Sequence, residues 1–218
     1  MTSTTGCTAA STVAAVRAAA EAITEHKVEL TTLDRQIGDG DHGENLARGF
    51  AAVLSKLDTE QPATPGAVLK LVATTLISTV GGASGPLFGT AFLRAATTAG
   101  DEPELDGPMV AAVLAAARDG VVSRGKAEPQ DKTMVDALIP AVAAAEKAAT
   151  EGADPAQVLH AAAQAADQGA ADTTDLQARK GRASYLGERS VGHVDPGARS
   201  TAYLLAAMAG AVETEHSR

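Results

Sequence analysis

Aromatic side chains are nearly absent from this chain of 218 residues, which has no tryptophan and only 2% aromatic residues. A hydrophobic core must therefore be built from alanine, valine, leucine and isoleucine. Alanine has the highest helix propensity of all residues, and the long alanine runs predict closely packed helices. The length suits a single domain spanning residues 1–218.

Cysteine and long apolar runs are also scarce. Cys7 is the one cysteine, so no internal disulfide can form. Apolar runs stay well short of the roughly 18 residues that a membrane-spanning helix needs. The first twenty residues lack the basic and leucine-rich parts of a secretory signal. We expect a cytoplasmic protein without a membrane partner.

Positive charge is limited as well. The formal net charge is −9, from 18 basic and 27 acidic residues. The largest basic cluster, Arg179–Arg182, is too short for a polybasic anchor or a nucleic-acid surface. We therefore expect no direct nucleic-acid partner, and the acidity as a whole is typical of a soluble protein.

Apolar residues at helical spacing predict one helix after another, joined by short loops rich in glycine and charge. Asp-Pro pairs mark two helix starts. The segment LVATTLISTV is rich in β-branched residues, so a strand there is the alternative. The prediction is an all-α fold of about eight helices without a strand. The predicted helices cover Ser11–His26, Glu29–Asp34, Glu44–Leu57, Gly66–Val80, a stretch from near Pro86, a stretch around Leu105–Leu114, one containing Pro140, one from Asp154 and one from Asp195.

An acidic, glycine-rich loop lies in LDRQIGDGDHGENLARGF, residues 33–50, where Asp34, Asp39 and Asp41 fall within eight positions. GDGDHG matches G-x-G-x-x-G, but no strand precedes it and its carboxylates would repel a pyrophosphate. Carboxylates and phosphates share a site only when a divalent cation lies between them, and Mg²⁺ prefers such oxygen ligands. The loop therefore predicts a magnesium site; a solvated turn capping the next helix is the alternative.

Three further stretches bear on phosphate binding. GVVSRGKA resembles a P-loop but has Ala127 where the magnesium-binding hydroxyl should stand, which argues against one. GGASGPLFGT places Ala83 and Ser84 at a helix entrance, where free N–H groups can bind an anion. In RASYLGERSVGHVDPGARS, Arg182 could clamp a phosphate. No Ser-His-Asp or Cys-His arrangement indicates covalent catalysis.

Four segments taken together resemble the nucleotide-binding subunit, called L, of the dihydroxyacetone kinases. They are LDRQIGDGDHGENLARGF, GGASGPLFGTAFLRAA, GKAEPQDKTMVDALIPA and GRASYLGERSVGHVDPGARSTAYLL, and the resemblance runs from about Ala10 to Ala211. It implies a barrel of eight antiparallel helices that holds ADP or ATP with two Mg²⁺ ions at one end. It also implies that Asp34, Asp39 and Asp41 are the metal ligands and, with Arg182 on the phosphate side, the catalytic residues.

The same resemblance implies a set of nucleotide contacts. Members of the family often have threonine where this chain has Glu44, so a backbone contact would survive there and a hydroxyl contact would not. The implied contacts are His42, Gly43, Glu44, Asn45, Ala83, Ser84, Gly125, Met134, Arg182, Asp195, Pro196 and Gly197.

A division of labour between subunits is also implied. In the family, a separate K subunit holds the ketose on a histidine, and no K-like segment is present in these 218 residues. The nucleotide would either stay bound as ADP and be recharged by a phosphohistidine carrier protein of the phosphoenolpyruvate-dependent system, or exchange as ATP. Several alternatives stay open. The substrate could be another short ketose such as a tetrulose, and the chain could be an ADP-loaded regulator of a transcription factor or a purely structural helical bundle. A homodimer is also possible.

Overall fold

The computed structural model describes residues 6–216, with side chains up to Glu213. The predicted all-α fold is confirmed. The described residues form nine α-helices and two short 3-10 helices, and each of the nine stretches predicted from the sequence corresponds to one α-helix, with α1 and α2 breaking at His26. The helices are α1 (Ala9–Glu25), α2 (Lys27–Ile37), α3 (His42–Leu57), α4 (Pro65–Thr79), α5 (Ser84–Ala99), α6 (Gly107–Gly125), α7 (Met134–Thr150), α8 (Pro155–Asp172) and α9 (Pro196–His216).

Side-chain caps explain where many of these helices begin. Asp154 accepts a hydrogen bond from the backbone of Gln157 and caps α8, with Pro155 at the first position, as the sequence predicts. Asp195 accepts one from the N–H of Ala198 at 2.7 Å and opens α9 in the same way. The other described side-chain caps are Thr8, Thr64, Asp106 and Thr133.

The strand alternative for LVATTLISTV is wrong, because this segment lies inside α4. Its threonine hydroxyls donate to carbonyl oxygens of the preceding turn, from Thr75 to Leu71 and from Thr79 to Thr75. The prediction that no strand exists is also wrong in one detail. Two strands of two residues, β1 (Cys7–Thr8) and β2 (Glu104–Leu105), pair antiparallel, and this is too short for any sequence period to reveal.

The helices pack in a closed ring. Going round it, α1 contacts α4, followed by α5, α6, α7, α8 and α9, and α9 contacts α1 again. Alanines at one-turn spacing line the contact between α7 and α8, including Ala141, Ala145, Ala162 and Ala166, all fully buried. Small side chains let these axes approach closely, which explains the composition. Among the described residues, no helix has the length and apolar character to cross a bilayer.

Candidate nucleotide and metal site

One end of the ring forms a cleft where four helices begin. The starts of α3, α5, α7 and α9 meet there, together with the end of α2 and the segment around Lys180 to Ala183. Helix N-termini carry free N–H groups and a partial positive charge, so they favour an anion. The sequence-predicted site residues that line this cleft are Asp34, Asp39, Asp41, His42, Ala83, Ser84, Met134, Arg182, Asp195, Pro196 and Gly197.

The three aspartates of the acidic loop meet at one wall of the cleft. One carboxylate oxygen from each of Asp34, Asp39 and Asp41 lies within 4.8 Å of the other two. Asp34 is buried, and its Oδ2 accepts hydrogen bonds from the N–H groups of Asp41 at 2.8 Å and His42 at 3.1 Å. Its Oδ1 lies where a side chain on Gly38 would collide with it at 2.1 Å. This set of clustered oxygens fits the ligand preference of Mg²⁺.

His42 is a buried residue of the cleft that hydrogen-bonds to two other helices. Its Nδ1 lies 3.0 Å from Ser84 Oγ and its Nε2 lies 2.9 Å from Ser200 Oγ. Ser200 donates its own proton to the Gly197 carbonyl, so it accepts from His42 Nε2–H, and Ser84 donates to Nδ1. Burial lowers the pKa of His42 despite nearby Asp34 and Asp41, which keeps the ring neutral. Its role is to join α3, α5 and α9.

Arg182 lines the cleft and forms an ion pair with the acidic loop. Its guanidinium lies 2.9 Å from Asp39 Oδ2, and its side chain is 68% exposed. A surface ion pair of this kind is weak and easily exchanged. The guanidinium can therefore leave Asp39 for another anion without disturbing the fold.

Asp195 is the other unusual acid of the cleft. Burial raises its pKa to about 7, and the nearby Asp136 and Asp34 add to the effect, while the N–H of Ala198 and the ammonium of Lys132 oppose it. The carboxyl accepts the capping hydrogen bond of α9, while part of the residue stays exposed. A carboxyl with a pKa near 7 is present in both protonated and ionised forms at neutral pH.

A second, largely apolar cavity adjoins the cleft and shares Ala83, Leu87 and Met134 with it. Gly125, predicted from the sequence as a nucleotide contact, lines this second cavity rather than the acidic cleft. A methyl group added at Gly125 would lie 3.2 Å from Leu87. The two cavities therefore differ in chemistry, since the cleft carries the carboxylates and the second cavity is lined mainly by apolar side chains.

Three predicted contacts lie away from both cavities. Gly43 packs against α2, where an added Cβ would lie 2.2 Å from the Lys27 carbonyl oxygen. Glu44 pairs with Lys27 at 3.2 Å, and Asn45 accepts from Arg48 at 2.6 Å. Gly43 and Glu44 make contacts of α3 with α2, and Asn45 bonds within α3, so a role in nucleotide binding stays a prediction for all three.

The sequence pattern does not reveal every residue of the cleft. Lys132 is the most notable of those it misses, since it is only 1% exposed and lines the cleft. Lys180, Thr133, Gly38 and Gly181 line it too. The only sequence signal for Lys132 is its place just before the cap of α7, and nothing in the pattern says that a lysine there is buried.

Comparisons with known proteins place this arrangement in context. The family model for the DAK2 domain matches residues 36–210. The chain is 47% identical over 180 residues to the phosphoenolpyruvate-dependent dihydroxyacetone kinase ADP-binding subunit of Escherichia coli, covering 83% of this chain and 86% of that one. It is 44% identical over 188 residues to the ADP-binding subunit of phosphoenolpyruvate-dependent dihydroxyacetone kinase 1 of Listeria innocua, covering 86% of this chain and 89% of that one.

A solved structure shares the fold. The crystal structure of the dihydroxyacetone kinase of C. freundii superposes with a TM-score of 0.70 at 26% identity, covering 91% of this chain and 34% of that one. A complex of the same kinase with AMP-PNP and Mg²⁺ gives a TM-score of 0.66 at 26% identity, covering 90% and 33%. The chain therefore spans about a third of that larger kinase.

Proposed function

The chain belongs to the DAK2-domain family, and we propose that it is the ADP-binding, phosphoryl-transferring subunit of a dihydroxyacetone kinase. The observation that carries the proposal is the cluster of Asp34, Asp39 and Asp41 on the wall of a cleft formed by helix N-termini. An anion site and a carboxylate cluster are compatible only when cations join them. A nucleotide diphosphate or triphosphate with magnesium meets that requirement.

Asp34, Asp39 and Asp41 would hold the metal, and we propose two Mg²⁺ ions. Bound Mg²⁺ neutralises phosphate charge during transfer. Asp34 cannot turn freely, since its Oδ2 is committed to two backbone N–H groups, so its Oδ1 points to a fixed place. Asp39 and Asp41 are exposed and can adjust to the ligand.

The remaining residues of the cleft bind and orient the nucleotide. The first turn of α5, from Ala83 and Ser84, presents N–H groups to the phosphates, and His42 holds Ser84 in place. The Arg182 side chain would exchange its contact with Asp39 for one with the terminal phosphate. The planar guanidinium presents pairs of N–H donors that match phosphate oxygens. The adjoining apolar cavity, lined by Gly125 and Met134, receives the base.

The acceptor ketose belongs on a separate K subunit in this proposal. Phosphoryl transfer depends on positioning and charge neutralisation. The described residues of the cleft serve those needs for the nucleotide alone. The K partner would dock on the cleft mouth near Asp39 and Arg182, and the complex would work in the cytoplasm.

The phosphoenolpyruvate-dependent mode is favoured over exchange of ATP. The E. coli and L. innocua relatives that match over 86% and 89% of their own length are named phosphoenolpyruvate-dependent. An L-erythrulose kinase of Pectobacterium atrosepticum is 37% identical, but this chain covers only 35% of it. ADP would then stay bound and be recharged by a phosphohistidine carrier protein.

A reconstituted assay tests the proposal. The purified chain, Mg²⁺, ADP, a K subunit and a phosphohistidine carrier should convert dihydroxyacetone to its phosphate, and omission of the K subunit should abolish turnover. Turnover without K would overturn the division of labour. Turnover with ATP and K but without the carrier would favour the ATP-dependent alternative.

A further inference from the structure

Lys132 is a buried cation on the wall of the cleft. It is 1% exposed, and its backbone adopts the left-handed conformation with φ of 62°. Its ammonium donates to the carbonyl oxygens of Thr173 at 2.5 Å and of His193, and it lies 3.5 Å from that of Thr174. An ammonium group has three N–H donors, so these carbonyls account for all of them.

The three carbonyls belong to two separate segments. Thr173 and Thr174 directly follow α8, whose C-terminal end carries a partial negative charge that favours a cation. His193 lies in the loop that leads into α9. The ammonium therefore connects the loop before α7, the end of α8 and the approach to α9 at one point.

The same two threonines also hold the approach to α9 by a second route. The N–H of Gly192 donates to the Thr174 carbonyl at 2.8 Å, and the N–H of Asp195 donates to Thr173 Oγ1 at 2.9 Å. Without the ammonium, the carbonyls of Thr173 and His193 would face each other without a donor between them. Repulsion between these oxygens would displace the turn that begins at Asp195.

We infer that Lys132 is a positioning residue whose ammonium fixes the Asp195–Gly197 turn and the Thr133–Met134 start of α7 around the nucleotide. Both of these segments line the cleft. The inference deepens the proposed function and rests on it.

The charge of Lys132 matters in addition to its hydrogen bonds. Burial lowers its pKa, while Asp195, Asp175 and Asp136 oppose that change. The carbonyl oxygens of Thr173, at the end of α8, and of His193 accept its N–H groups and stabilise the ammonium form. A fixed positive charge therefore lies in the wall of a cleft that receives phosphates, where it adds to the field of the helix N-termini.

Substitutions at Lys132 distinguish the effect of the ammonium group from the effect of the volume that the side chain fills. Lys132→Met keeps the length and removes the donors, whereas Lys132→Arg keeps a charge and donors in a wider group. Lys147→Met is the matched control, since this lysine of α7 is exposed and remote from the carbonyls of Thr173 and His193. The two readouts are ADP affinity at saturating Mg²⁺, by calorimetry, and amide hydrogen exchange of residues 191–198.

Lys132→Met should weaken ADP binding by about 10- to 100-fold, the loss typical when a residue that orients a binding group is replaced. Exchange should accelerate in residues 191–198 and stay unchanged in α4. Lys132→Arg should recover part of the lost affinity, and Lys147→Met should match the unsubstituted chain. A side chain that only fills space would give the opposite order, with Met retaining affinity and Arg losing it, and that result would overturn the inference.

Three further outcomes are decisive. If Lys132→Met does not fold, Lys132→Gln keeps an uncharged donor, and ADP binding as tight as that of the unsubstituted chain would overturn the role of the charge. If the unsubstituted chain itself binds no ADP with Mg²⁺, the proposed function fails. If it binds and Lys132→Met binds equally well with unchanged exchange, only the role of Lys132 fails.

Discussion

The three clustered aspartates are not equivalent at the scale of single residues. Asp34 is buried and uses one carboxylate oxygen to hold the loop through two backbone N–H groups. Asp39 and Asp41 are exposed, and Asp39 contacts Arg182. Asp34 therefore contributes to the fold as well as to the proposed metal site, while the other two contribute to the metal site.

Asp39→Asn and Asp41→Asn should therefore abolish phosphoryl transfer without harming the fold. Removing a metal ligand leaves phosphate charge poorly neutralised, and we expect a loss of about 100-fold or more in the reconstituted assay. The melting temperature of the nucleotide-free protein should stay the same or rise, since like charges are removed. Asp58→Asn, in the remote and exposed pair with Arg17, is the control. Full activity in either loop variant would show that the metal assignment is mistaken.

Asp195 should make the nucleotide-free protein less stable as the pH rises from about 4 to about 7. In this window the folded carboxyl, with its pKa raised to about 7, still holds the proton that the unfolded chain has released. A tenfold difference in proton affinity between the folded and unfolded chain corresponds to about 1.4 kcal/mol of unfolding free energy, and the contribution is constant above pH 7. Urea unfolding at pH 5 and pH 8 measures it.

Asp195→Asn provides the reference for that measurement. The amide cannot titrate, yet its oxygen can still cap α9 at Ala198. The stability of the unsubstituted protein relative to this variant should fall between pH 5 and pH 8. A difference independent of pH would mean that the pKa of Asp195 is not raised.

At the scale of elements, close contacts between helices explain the role of Gly43. An added Cβ there would lie 2.2 Å from the Lys27 carbonyl and 2.6 Å from the Thr31 hydroxyl, both on α2. Gly43→Ala should cost about 1–3 kcal/mol of unfolding free energy through overpacking. It should also disturb the metal site, because α2 carries Asp34.

Gly210→Ala is the matched control for this substitution. Gly210 lies in α9, and an added Cβ would meet no atom within 4 Å. Alanine loses less backbone entropy than glycine on forming a helix, so we expect a gain of about 0.5–1 kcal/mol. Urea unfolding of both variants tests the pair; equal effects would contradict the packing argument.

A structural element can be predicted from the sequence when the contacts that fix it are between residues close together in the chain. Caps such as Asp154 and the acidic loop around Asp39 are local, so the sequence reveals them. The helical state of LVATTLISTV is ambiguous from sequence because propensity alone does not decide β-branched segments. The burial of Lys132 depends on carbonyls 41 and 61 residues away, and no local pattern records such a contact.

At the scale of the whole molecule, the residues that stabilise the ring of helices and the residues of the candidate site lie in different places. The alanine-rich contacts along α7 and α8 stabilise the ring, while the polar loops gather at one end. That end combines helix N-termini, which attract an anion, with three carboxylates, which repel one. A phosphate can therefore bind there only when a cation lies between it and the carboxylates. We therefore propose that nucleotide binding at this end depends on Mg²⁺.

Calorimetric titration of the nucleotide-free chain with ADP, in Mg²⁺ and then in EDTA, tests that claim most directly. With Mg²⁺ we expect one ADP per chain, bound at least about 100-fold more tightly than in EDTA, since metal ligation supplies several kcal/mol of charge stabilisation. Asp39→Asn should lose most of the magnesium dependence. ADP binding of equal strength in Mg²⁺ and EDTA, or no binding in either, would rule out a magnesium-dependent nucleotide site.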